Sequence, residues 1–271
     1  MSEICKQYKY SKSGFYKHLK IEKRRNEEEA RALYYIRAIR KSGLMSGARK
    51  MKIYLKTYFD FDIGRDRLFK LMKQHDLYCR HYRKKVITSD GRKKDYPNLI
   101  KNLEVTKFGE VLVSDISYIS LQNGKFCYIS VISDLCSRMI LGYNVSSNLM
   151  TSSIIKTTKN VIRSYKLPKN SIHHSDHGSQ YTSHEYTGLL NESGIQISMT
   201  GSGKCFDNAV AERIFNTLKN EYDMNSVFNN IKEVKAEMKR VVNSYNNYRV
   251  HDSLNDITPR AKYEQLLSKT A

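Results

Sequence analysis

Apolar positions recur at helical spacing through the first eighty residues and at strand spacing from about residue 110 onward. Residues 3–20 read as a short helical start, with Ser11 or Ser13 as N-cap. A second helix is predicted over 27–43, EEEARALYYIRAIRKSG. It is acidic in its first turn, basic in its last and closed by Gly43, the polarity a helix dipole favours. SGARKMKIYLKTYF (46–59, capped by Ser46) and RDRLFKLMKQHDL (65–77) give two more. In the last of these Leu68, Leu71, Met72 and His75 share one stripe, while Arg67, Lys70 and Lys73 lie elsewhere on the circumference. Two helices joined by a short turn at Gly64, the second one basic, form a helix-turn-helix pattern. The solvated face of an ordinary helical bundle would show the same periodicity.

Beyond the basic stretch RHYRKKVITSDGRKKDYP, residues 80–97, the texture changes. EVLVSDISYISL and KFCYISVISDL flank the turn QNGK and predict a β-hairpin, and RMILGYNVSS supplies a third strand. An amphipathic helix (SSIIKTTKNVIRSY), a short strand running into HHSDHG, and a helix from Ser183 to Gly194 follow. Then come the strand IQISMT, a loop TGSGKCFDN and the helix AVAERIFNTLKNEY. The order is three strands, helix, strand, helix, strand, helix, which predicts an α/β fold with a mixed five-stranded sheet flanked by helices. A further helix over 231–247 and an irregular end, YRVHDSLNDITP, complete the chain. Four regions are expected: a helical DNA-binding module (1–79), a basic linker (80–104), a core (105–225) and a C-terminal helix and tail (226–271).

Charge sharpens this division. The net charge is +20, and the first hundred residues carry 27 Lys/Arg against 11 Asp/Glu, the remainder 20 against 16. A basic module preceding a nearly balanced one points to a polyanion partner, most often nucleic acid. Arg65, Arg67, Lys70 and Lys73 of the helix over 65–77 and Arg83, Lys84 and Lys85 of the linker are the candidate phosphate contacts. The five cysteines are scattered, odd in number and form no CxxC pair, so neither a disulfide framework nor a cysteine-based zinc finger is suggested. No run approaches the roughly 18 apolar residues of a membrane span, and MSEICKQYKY has no apolar signal core. The expected location is cytoplasmic, with no membrane partner.

HHSDHGSQY, residues 173–181, invites a zinc reading. Adjacent His173 and His174 would point to opposite faces of a strand, however, which disfavours joint ligation. Asp176 in that stretch is the stronger ligand candidate, with Gly178 letting the backbone turn sharply behind it. Asp115 stands in mid-strand, sharing a face with Val113 and Ser117, where an ionised carboxylate is costly unless paired or holding a cation. Glu212 lies on the helix AVAERIFNTLK, 35 residues separating it from Asp176. Asp134 and Asp207 read as a structural turn and a loop or cap residue. GSGK, 201–204, lacks the first glycine and the hydroxyl of a phosphate-binding loop and reads as a flexible loop before that helix.

Taken together, SDISYI, HSDHGSQY and DNAVAERIFNTLKNE resemble the three acidic segments of the insertion-sequence DDE transposases. These share a ribonuclease-H-like core with the retroviral integrases. The 35-residue gap matches that family's hallmark, and the ending YNNYRVHDSLNDITPRAKY and the start FYKHL are similar to its two ends. The chain departs from the family in holding no tryptophan: Leu112 and Val113 fill the stretch where relatives often carry one.

The resemblance implies a ribonuclease-H-like fold and a Mg²⁺-dependent DNA transposase that cleaves and joins strands at element ends. It implies two Mg²⁺ ions, with Mn²⁺ as a substitute, held by Asp115, Asp176 and Glu212. It also makes Lys219 a DNA-end contact. Lys219 lies two turns beyond Glu212 on nearly the same face, and Asn208, four residues before, lies on that side too. The implied partners are double-stranded DNA (terminal repeats and target), further copies of the chain in an oligomer, and the upstream-frame helix-turn-helix protein. Two other readings remain: a catalytically inactive DNA-binding regulator of transposition, and a ribonuclease-H-like nuclease without joining activity.

Overall fold

The computed structural model describes residues 11–77, 96–200 and 209–269. The chain forms two compact units, divided after residue 79.

The first unit is helical. α1 (Lys12–Lys41) is one continuous helix of 30 residues, capped by Ser11, whose side chain accepts from the Gly14 amide at 2.9 Å. The two separate helices expected over 3–20 and 27–43 are therefore merged. No glycine or proline interrupts KIEKRRNEEE, and a polar stretch without a breaker continues a helix as readily as it ends one. α2 (Ala48–Phe59) starts at Gly47 rather than at Ser46, which is buried instead. Asp60, in the left-handed conformation, ends it. α3 (Arg65–Gln74) buries Leu68, Leu71 and Met72 as the stripe predicts, but His75 is exposed at its C-cap. Ala32, Ile36 and Ile39 of α1 and Met51, Tyr54 and Leu55 of α2 supply other buried side chains of the unit.

The second unit is built on one mixed sheet. β1 (Val111–Ser120), β2 (Phe126–Asp134) and β3 (Ile140–Ser146) form an antiparallel meander; β4 (Ile172–Ser175) and β5 (Gln196–Met199) add in parallel on the other side of β1. The sheet order is β3-β2-β1-β4-β5. α4 (Thr151–Ser164) and α5 (His184–Glu192) lie between β3 and β4 and between β4 and β5, as the crossover connections of parallel strands require. α6 (Ala209–Glu221), α7 (Ile231–Asn247), a 3₁₀ turn at Asp252–Leu254 and α8 (Pro259–Ser268) follow.

The period-two alternation of β1 assigns each helix a face. Leu112 packs with Ile132 and Val161 of α4, and Ile116 joins the cluster of Ile154, Tyr186 and Leu190. Val111 and Val113 pack with Ala211 of α6. α4 and α5 thus cover one face of β1 and α6 the other. The close approach of α4 to β3 needs Gly142, where a Cβ would meet Val161 Cγ2 at 2.6 Å.

The C-terminal segment belongs to the same unit. The Phe228 amide donates to the Ser120 carbonyl and the Gln122 amide to the Phe228 carbonyl, at 3.1 and 2.9 Å. Asn246 of α7 pairs with both backbone groups of Ile140 on β3 at 2.9 Å each. Among the described residues no helix is long and apolar enough to cross a membrane.

Candidate active site

Two acids are brought together by strand register. β1 and β4 run parallel with Val113 opposite His174. Asp115, within β1, and Asp176, just past the end of β4, each lie two residues further on, where the parallel register of strands spaced by about 4.8 Å carries them side by side. β4 ends at Ser175, so Asp176 sits where the chain leaves the sheet. The face of β1 that carries Val113 and Asp115 is the one covered by α6, whose first turn carries Glu212.

The electrostatics reflect this convergence. Burial pushes the Asp115 carboxyl up to about 7, and the neighbouring negative charges of Asp176 and Glu212 push in the same direction. Its Oδ1 accepts the Ile116 amide at 2.8 Å, and Lys219 offers a weaker, opposing attraction. Asp115 and Asp176 retain partial solvent contact, and Glu212 is exposed. The three carboxylates are electrostatic neighbours, but among the described residues no three His, Cys, Asp or Glu side chains are gathered into one ready coordination shell. Like charges repel at short range, and Glu212, turned toward solvent, stands off.

Asp176 is held by the turn that follows it. The Gly178 amide donates to its Oδ1 at 3.0 Å, and a Cβ on Gly178 would stand 3.0 Å from that oxygen and 3.2 Å from Gln180 Oε1. The chain turns directly after Gly178, whose carbonyl accepts from the Tyr181 amide at 2.9 Å; its φ lies outside the left-handed range, and a side chain there would crowd the carboxylate.

The histidines have structural partners. His173 Nε2 bonds the Tyr186 hydroxyl at 2.8 Å on the α5 face, and burial lowers its pKa to about 3, so the ring is neutral. His174 Nδ1 bonds Ser198 of β5 at 2.8 Å, and Ser198 in turn accepts the Leu99 amide. His177 Nε2 bonds the Thr200 carbonyl. The opposite facing of His173 and His174 holds, and neither turns toward a shared ligand position.

Asp134 is the buried turn residue the sequence suggests. Its oxygens accept from the Gly109 amide at 2.8 Å and from the amide and hydroxyl of Ser137 at 2.6 Å. Such a satisfied carboxylate has little capacity left for a cation.

Lys219 is half-buried and lies on the α6 face, with its Nζ 5.2 Å from the ring centre of Tyr118 on β1. Burial lowers its proton affinity, and Asp115 opposes that effect. Tyr118 was not foreseen; its only signal is its place three residues after Asp115 on the same strand. In the helical unit, Lys70 and Lys73 are exposed and Arg65 pairs with Asp66 at 2.8 Å. Arg67 is committed within the unit, to Glu28 at 2.7 Å, Glu29 at 2.8 Å and the Arg25 carbonyl. Asn208, Arg83, Lys84 and Lys85, Asp207 and the GSGK loop lie outside the described residues.

Models of the integrase core domain match residues 106–205 and 193–259. The chain is 30% identical over 273 residues to the uncharacterized 31 kDa protein of insertion element IS600 from Shigella sonnei, covering 97% of this chain and 99% of that one. It is 31% identical over 198 residues to the transposase of insertion sequence element IS904 from Lactococcus lactis, covering 72% and 78% respectively. Among solved structures, the catalytic core domain of BIV integrase aligns at a TM-score of 0.46 and 19% identity, over 60% of this chain and 99% of that one.

Proposed function

Because the chain belongs to the insertion-sequence transposases with an integrase core, we propose that Asp115, Asp176 and Glu212 are the catalytic acids of this DNA transposase. The observation that supports the assignment is the electrostatic closeness of Asp115, on β1, to Asp176, just beyond the parallel β4, and to Glu212 on the helix that packs on β1.

The donor set suits hard divalent cations. All three groups are carboxylates, and the opposing attraction of Lys219 is too weak an influence to keep Asp115 ionised at its ordinary value. Asp115, Asp176 and Glu212 would hold two Mg²⁺, or Mn²⁺ in its place. Bound there, the cations would lower the pKa of an attacking hydroxyl or water and offset the charge on a leaving 3′ oxygen. The protein's own contribution is placement. Asp115 is fixed by strand register and the Ile116 amide, and Asp176 by the Gly178 amide. Glu212 adjusts from an exposed helical turn. Lys219 supplies a fixed cation beside the acids, suited to a DNA phosphate. The reaction is cleavage at element ends followed by attack of the exposed 3′-hydroxyl on a target strand, with no covalent protein intermediate.

Arg65, Lys70 and Lys73 of the helical unit are the proposed duplex contacts, with Arg83, Lys84, Lys85 and Asn208 as further ones from the sequence. Terminal repeats and target DNA are the proposed partners, bridged by an oligomer of the chain.

The test uses labelled element ends and Mg²⁺, comparing the parent with Glu212→Gln. Near-complete loss of joined product with end binding retained is the expected result. Joining at the parental rate would remove Glu212 from the site. Parental cleavage without joining would mark a nuclease, and binding alone an inactive regulator.

A further inference from the structure

We infer that Arg249 and Glu221 form a brace that sets the rotation and axial position of α6, and so positions Glu212; this rests on Glu212 being a catalytic acid.

Glu221 is the last residue of α6. Its two carboxylate oxygens take both arms of the Arg249 guanidinium, at 2.9 Å to Nε and 2.7 Å to Nη2. Arg249 is 4% exposed, the most deeply enclosed arginine among the described residues. Its remaining contacts are also fixed. Nη1 lies 2.9 Å from His251 Nε2, and the guanidinium stands over the Tyr245 ring at 5.7 Å. Tyr245 is itself buried and meets the His251 ring edge-on at 5.0 Å. His251 is anchored in turn by its amide, which donates to the Ile257 carbonyl at 3.0 Å. The tail that the sequence singles out, YNNYRVHDSLNDITP, is thus a socket for one carboxylate of α6. Asn246 of the same tail pins the socket to β3.

The apolar contacts of α6 do not fix it to that degree. Ala211, Ile214, Phe215 and Leu218 form a greasy seam, along which a helix can roll or slide with little loss of buried area. A two-armed arginine–carboxylate pair is directional and tolerates neither motion. The distinction matters nine residues upstream, about 13 Å along the axis. A catalytic carboxylate must be held within about 0.5 Å and 10–20° of its working geometry. With a side chain reaching roughly 6 Å from the helix axis, a roll of 20° displaces its end by about 2 Å. Arg249 is a positioning residue in this account, not a catalytic one: the acid it touches is Glu221, not Glu212, Asp115 or Asp176.

The experiment compares the full chain with Arg249→Lys, Glu221→Asp and the charge swap Glu221→Arg with Arg249→Glu. Four quantities are read: thermal melting, binding of a labelled element-end duplex, joining of that duplex over a Mn²⁺ series, and Mn²⁺ binding by calorimetry without DNA. Arg249→Lys keeps the charge and the fold but loses the second arm. We expect it to bind the duplex as the parent does, to need at least tenfold more Mn²⁺ for half-maximal joining, and to bind Mn²⁺ more weakly in calorimetry. The swap should recover part of both losses. Parental Mn²⁺ dependence in Arg249→Lys, or a loss of joining that only tracks the melted fraction, would overturn the brace while leaving Glu212 in place. A parent that neither joins ends nor binds Mn²⁺ would overturn the functional reading and the brace together.

Discussion

Lys219 holds its ammonium over the ring of Tyr118, 5.2 Å from the centroid, at the end of β1 that lies beyond Asp115. A lysine on a helix face would otherwise sample many rotamers, and the ring narrows that choice. Lys219→Ala is expected to weaken binding of the element-end duplex several-fold and to reduce the salt dependence of log K by about 0.9, the value for one lost phosphate contact. Tyr118→Leu should give a smaller loss of affinity with the salt slope unchanged, because the charge remains. Fluorescence anisotropy across a salt series checks both.

Asp115 carries a stability cost at neutral pH, set by its burial and by the acids beside it. Its pKa in the folded protein is raised to about 7, above the ordinary carboxylate value. The fold therefore favours the protonated form. The resulting stability is full below about pH 4, where both states hold the proton, and is lost as pH rises toward 7 and above. Asp115→Asn should raise the melting temperature of protein in EDTA, more at pH 8 than at pH 5. Partial solvent contact limits the gain to on the order of 1–2 kcal/mol. A gain independent of pH would contradict this account.

Asp134 serves as a control for the catalytic assignment. It satisfies two backbone amides and one hydroxyl in a buried turn. Asp134→Ala would leave these donors unpaired and should cost about 2–4 kcal/mol by denaturant unfolding. Joining per folded molecule should be retained, in contrast to Glu212→Gln.

Gly142 tests the packing of α4 on the sheet. An added methyl would stand 2.6 Å from Val161 Cγ2 and 3.1 Å from Thr157 Cγ2. Gly142→Ala should destabilise the second unit by about 1–3 kcal/mol through overpacking. Thermal melting measures it.

The basic residues of α3 divide by their partners. Lys70→Ala and Lys73→Ala should weaken duplex binding with little change in melting. Arg67→Ala should lower the melting of the helical unit, since it removes a half-buried cation from Glu28 and Glu29. The expected cost is about 1 kcal/mol, the upper range for partly exposed pairs.

The sheet and its helices were legible because each strand of the meander carries its own alternation and each crossover helix its own amphipathic stripe. The three acidic segments were legible as a set in the residues around Asp115, Asp176 and Glu212, and the electrostatic closeness of these acids is what the fold adds to that pattern. Merging of the first helices was not, since residues 21–29 offer neither an apolar rhythm nor a breaker. Nor was the inward commitment of Arg67, whose glutamates lie some forty positions upstream. The pairing of Glu221 with Arg249 depends on the return of α7 across the sheet, which local pattern does not encode. For Gly178 the flanking acid was visible, but the closeness of its backbone to that acid's oxygen appears only in three dimensions.

The alternation of β1 has a consequence for how such chains can vary in length. Asp115 faces α6 only because an even number of steps separates it from Val111 and Val113, which pack on the same helix. One residue gained or lost between Val111 and Asp115 would deliver the carboxylate to the opposite side, among Ile116 and the α4–α5 cluster, while every other acid stayed put. The hairpin tip at Asn123 and Gly124, whose chain reverses after the acid has been placed, bears no such parity constraint. Homologous chains should therefore differ in size at that tip and keep a fixed count through the strand that precedes it.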